Sequence, residues 1–141
     1  MSVQESHTAP APPTIRWLRD LLAGFLAEVA LIFVAIPLYF LPNFQAVLNL
    51  AIPPASFVVL VAFGYWAARG APRSHVLNGF LAGLAGVLLY LCLAIAGAAA
   101  AHRDPLATFT PAYLLAHALK LAGGAVGGWL AARRALTAKS A

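Results

Sequence analysis

Glu28 and Lys120 are the residues in this sequence best placed to do chemistry. Each lies deep in an apolar stretch long enough to cross a bilayer. Counting from Leu18 at 1.5 Å per helical residue, Glu28 is about 15 Å from the end of its span. Counting back from Ala132, Lys120 is about 18 Å from the same side. A charge near the bilayer midplane is costly and faces the bundle interior, a partner or a water-filled path. An acid and a base at matched depth on two helices give three readings. They form an ion pair that fixes helix packing, they form a proton or substrate site, or they do not meet and Lys120 snorkels outward.

His117 lies three residues before Lys120 and shares its helix face. Tyr113, Gly124 and Gly127 continue that stripe. A stripe that is polar at one half and glycine-lined at the other reads either as a small polar cavity or as a helix interface. In the second case His117 makes an interhelical hydrogen bond. A lone histidine has no metal-ligand spacing, and Cys92 has no cysteine partner, so neither a metal nor a cofactor is expected. The sequence has no Ser-His-Asp grouping, paired carboxylates, phosphate-binding glycine loop or Cys-x-x-Cys, and no enzymatic activity is expected.

The elements that position these residues follow from composition. Of 141 residues, 62% are hydrophobic and 9% are charged. The mean hydropathy is +0.86. A chain this short exposes much of its surface when it folds in water. Nine Lys or Arg, four Asp or Glu and four His cannot cover that surface. The composition excludes a soluble globular enzyme, a disordered protein and a nucleic-acid-binding domain, and indicates an integral membrane protein. The net charge of +5 is no sign of a nucleic-acid partner, because the basic residues stand singly at the ends of apolar runs.

Four apolar runs match the roughly 20 residues a helix needs to span the hydrocarbon core. They extend over about 17–41, 47–68, 76–101 and 111–132. Barrel strands would be half as long and would alternate with polar residues, so the predicted class is all-α. Short connections predict two up-down hairpins. Residues 1–15 read as a mobile cytoplasmic tail, 16–134 as the transmembrane domain and 135–141 as a C-terminal cytoplasmic tail. Arg16, Arg19, Arg69, Arg73, Arg133, Arg134 and Lys139 mark one side, and Arg103 alone marks the other. The positive-inside rule then predicts both termini in the cytoplasm of a bacterial inner-membrane protein. Trp17, Trp66 and Trp129 fall at the same interface.

Leu22–Ala27 resembles Leu77–Ala82, and Gly64–Arg69 resembles Gly128–Arg133, in matching order. This reads either as a parallel internal repeat or as chance similarity between glycine- and alanine-rich helices. Under the repeat, Glu28 matches Gly83 and Lys120 matches Ser56. Gly79-x-x-x-Gly83, Gly123-x-x-x-Gly127 and Gly124-x-x-x-Gly128 are small-xxx-small patterns that allow close backbone approach. They predict packing of the third helix on the fourth. Pro37 should bend or end the first helix. Pro53 and Pro54 either distort the second helix or start it.

Leu26-Ala27-Glu28-Val29, after a glycine in the first helix of a four-helix chain, resembles the opening of the small multidrug resistance transporters. That resemblance implies a glutamate, here Glu28, that binds protons and cationic drugs in turn. It covers only these few residues, and the later helices differ in their aromatic and glycine pattern. More broadly, the glycine-rich helices and Ala-Ala-Arg ends are similar to small four-helix bacterial inner-membrane proteins. That likeness implies a fold and a location but no activity. The expected function is a structural or interaction subunit in the lipid bilayer, partnered by copies of itself or by another membrane protein. The alternative is a small proton-coupled transporter or channel subunit using Glu28, Lys120 and His117.

Overall fold

A computed structural model describes residues 15–104, 106 and 109–138. Among these residues run four α-helices, α1 (Trp17–Leu38), α2 (Phe44–Ala68), α3 (His75–Ala100) and α4 (Pro111–Thr137). Their 22 to 27 residues give lengths of about 33 to 40 Å, enough for a hydrocarbon core of roughly 30 Å. All four are long and apolar enough to cross a membrane, which makes the chain a multi-pass membrane protein. Most of the expected N-terminal tail, His7 and Lys139 lie outside the described residues.

The helix ends follow local chemistry. Pro37 sits in the last turn of α1, and the helix stops at Leu38 rather than continuing to Leu41. Pro53 and Pro54 lie inside one continuous α2 that begins at Phe44. The second helix therefore does not start at Pro53. The two prolines cannot donate to the carbonyls of Asn49 and Leu50, so one turn of α2 lacks its backbone bonds. Asn43 and Ser74 precede α2 and α3 in the left-handed region, with φ of 55° and 58°, and turn the chain sharply between helices. Thr110 caps α4 by accepting from the Tyr113 backbone N–H at 3.2 Å, and Pro111 fills the first helical position. α4 runs on to Thr137, past the expected end at Ala132.

α1 packs on α2 and α3, and α4 packs on the same two helices. Apart from Leu31 and Leu60, the buried hydrophobic core is alanine. Ala23, Ala27, Ala67 and Ala82 are fully buried, whereas Leu18, Phe40 and Leu50 are 83%, 84% and 80% exposed. In water this arrangement would waste most of the apolar surface. In lipid, tails are as apolar as leucine, so small residues belong where helices meet and large ones where they face the bilayer.

The glycines bring the backbones together. A Cβ on Gly64 would lie 2.7 Å from the Gly124 carbonyl oxygen, and one on Gly83 would lie 2.8 Å from that of Lys120. A Cβ on Gly79 would run into the Gly124 carbonyl, and one on Gly128 into α3 at His75. The α3–α4 contact therefore uses Gly79, Gly83, Gly124 and Gly128. Gly123 and Gly127 face elsewhere, against Phe57, Val61 and Tyr65 of α2. A small-xxx-small pattern gives a close approach without naming the partner helix. Here two registers of one helix serve two neighbours.

Candidate functional site

Glu28 and Lys120 meet across the bundle. Lys120 Nζ donates to Glu28 Oε1 at 2.6 Å, and both residues are at least 96% buried, with 4% and 2% exposure. The third reading, in which Lys120 snorkels away, is not what the chain adopts. Burial of either charge alone would be very costly, and the pair makes both tolerable.

Two residues that sequence reasoning missed hold this pair. Gly86 of α3 faces Glu28, and a Cβ there would lie 2.9 Å from Oε1. Tyr90, one turn further along α3, places its ring 4.7 Å from Lys120 Nζ. The π-face of the ring stabilises the ammonium from a side where no acceptor is needed. Gly86→Ala should push the carboxylate off its partner and cost about 1–3 kcal/mol in unfolding by denaturant in detergent micelles. Gly97→Ala is the control and should cost nothing, because nothing lies within 4 Å of a Cβ there.

The ion pair forms one end of a cavity of about 470 Å³. Ile32, Ala35 and Ile36 of α1 line it, with Tyr39 just past that helix and Gln45, Leu48, Asn49 and Ile52 of α2. Tyr90 and Leu93 of α3, Thr110 just before α4, and Ala112, Tyr113, Ala116 and His117 of α4 also line it. It extends from the pair towards the α1–α2 connection and the start of α4. This is the end away from Arg16, Arg19, Arg69, Arg73, Arg133 and Arg134. Its volume lies within the range of small-molecule sites, roughly 300–1,000 Å³.

His117 sits in this wall and makes no interhelical hydrogen bond. Its Nδ1 donates to the Tyr113 carbonyl of its own helix at 2.8 Å. The ring stacks on Tyr113 with centroids 4.1 Å apart and meets Tyr90 edge-on at 5.2 Å. A carbonyl only accepts, so the proton of a neutral ring is on Nδ1 and the lone pair on Nε2. That Nε2 is buried without a partner, as is the Tyr113 hydroxyl. Buried polar atoms are rarely left unpaired, and two beside one cavity mark where a bound molecule would make its polar contacts.

At the opposite end of the molecule the backbone approach is tightest and three of the arginines are tied down. Arg19 donates to the Trp66 carbonyl at 2.6 Å and lies over its ring. Arg133 lies over Trp129, and Arg134 donates to the Tyr65 hydroxyl at 3.0 Å. Asp20, one turn into α1, is 1% exposed, and neither carboxylate oxygen has a hydrogen-bond partner. Among the described residues, no three His, Cys, Asp or Glu side chains converge on a point. Cys92 is free and exposed.

The likeness to small multidrug resistance transporters is carried by Leu26–Val29 alone. No protein family, curated protein or solved structure matches the chain.

Proposed function

We propose that this protein is a small proton-coupled transporter or channel subunit of the bacterial inner membrane, built as two up-down hairpins with both termini cytoplasmic and with no enzymatic activity. One observation carries the reading: a cavity of about 470 Å³ ends on a buried acid–base pair, with unpartnered polar atoms in its wall. A purely structural or interaction subunit accounts for the glycine-packed half of the bundle. An ion pair that fixes helix packing is open to it as well, but it gives no reason for the cavity left beside that pair. In the carrier reading the two halves divide the labour. The glycine-packed half seals the path on the arginine-rich side, and the cavity admits the solute from the other.

The orientation rests on the arginines and on Trp66 and Trp129, which gather at one end as the positive-inside rule and interfacial preference require. The internal repeat has support in burial. Ser56 and Lys120 are both buried, as are Glu28 and Gly83, and Gly64 and Gly128. Each half supplies one charge of the pair where the other supplies a small residue.

Replacing Glu28 by Gln tests the function. Gln keeps an acceptor for Lys120 but removes its counter-charge, so the variant should lose stability while remaining membrane-inserted. A transporter whose site depends on the Glu28 charge should lose solute-driven proton movement in proteoliposomes, read with an enclosed pH-sensitive dye. A structural subunit has no such movement to lose.

A further inference from the structure

We infer that the cavity binds a small organic acid together with one proton. This rests on the transport reading and names its substrate class. Lys120 Nζ carries three hydrogens, of which one goes to Glu28. The Tyr113 hydroxyl can donate, and Nε2 of neutral His117 can only accept. The cavity therefore offers donors and one lone pair to the same ligand. A carboxylic acid supplies both counterparts from one group: its oxygens accept, and its proton goes to Nε2. The aliphatic wall formed by α1 and α2 takes the hydrocarbon body.

Charge balance points the same way. With Glu28 and Lys120 paired and His117 neutral, the site has no net charge. A cation would have to separate Glu28 from Lys120 and then lie beside the ammonium. A bare anion would bring an uncompensated charge into an apolar cavity. An anion with its proton adds none. The step balances simply: RCO₂⁻ and H⁺ enter together, the proton is shared between carboxylate and Nε2, and no covalent bond to the protein forms. The other titratable groups lining the cavity are Tyr39 just past α1, Tyr90 on α3 and Tyr113 on α4. α2 contributes only the amides of Gln45 and Asn49. None of these carries a charge that would replace the proton.

The test is equilibrium binding of radiolabelled benzoate to the purified full chain in detergent, with benzyltrimethylammonium as the cationic counterpart. Benzoate should bind saturably, with affinity rising about tenfold for each unit of pH lowered, because one proton enters with each anion. His117→Phe keeps a ring against Tyr113 and should abolish that pH dependence. A folded wild-type chain with no saturable benzoate site would overturn the inference, and so would binding independent of pH. Benzyltrimethylammonium driving Glu28-dependent proton movement, with benzoate unbound, would overturn the substrate class and leave the transport reading standing. Proton-linked benzoate binding with no Glu28-dependent movement of any solute would do the reverse.

Discussion

Lys120→Met should cost about 3–5 kcal/mol of stability, the cost of removing one partner from a buried pair. Lys120 is 2% exposed and donates to a carboxylate that is itself 4% exposed. Without the ammonium, Glu28 faces Gly86 and the aliphatic wall of the cavity, and it must either stay charged and unpaired or take up a proton. Replacing both residues by methionine removes the problem rather than half of it. The double variant should recover most of the loss, because buried ion pairs are often replaceable by apolar residues at little cost. Unfolding of the two single variants and the double variant by denaturant in detergent micelles gives the coupling energy directly. A double variant that loses the sum of the two single losses would mean that the side chains do not interact.

Gly124→Leu should have an effect at least as large and through a different cause. Its Cβ would run into the Gly79 carbonyl and meet the Gly83 nitrogen at 3.2 Å. The Gly124 carbonyl oxygen in turn lies 2.7 Å from where a Cβ on Gly64 would be. Three helices thus meet at one residue without side chains. Overpacking a relaxed core costs about 1–3 kcal/mol, and here the obstructing atoms are backbone, which cannot rotate away. Leu should therefore separate α3 from α4 and prevent recovery of a folded, monodisperse protein from detergent. Ala should already lower stability measurably. Gly97→Leu, on the same helix as Gly79 but with nothing nearby, should leave recovery unchanged.

Most of the fold is legible because lipid leaves few options. Four apolar runs of about 20 residues can only be helices, and they end within a few residues of where the runs end. The ion pair is legible too. Depth is simple arithmetic along a helix, and Glu28 and Lys120 come out level. The surroundings of the pair are not. Tyr90 lies in a charge-free span where nothing in the sequence sets it apart from its aliphatic neighbours. Gly86 continues the row of Gly79 and Gly83 one turn further, but only the structure shows that it faces a carboxylate instead of a backbone. Asp20 stands beside Arg19 near the start of α1 and looks like an interfacial charge, yet it is buried. The faces of α4 divide between α2 and α3 because helix rotation is set by all the neighbours at once. A glycine pattern on one helix does not record that choice. Pro53 and Pro54 carry two meanings, start or interruption, and only the packing of the turns before them selects the second.

The carrier and structural readings differ most directly over water, so the decisive measurement is thiol accessibility. With Cys92 replaced by Ala, single cysteines are placed at Ala35 and Ala112, which line the cavity, and at Ser56, which is fully buried. A membrane-impermeant maleimide is then applied from each side of the membrane separately. The cavity predicts labelling at 35 and 112 from the side opposite the arginine cluster, and none at 56 from either side. Unlabelled cysteines at 35 and 112, or labelling only from the arginine-rich side, would contradict a water-filled path that ends on Glu28 and Lys120.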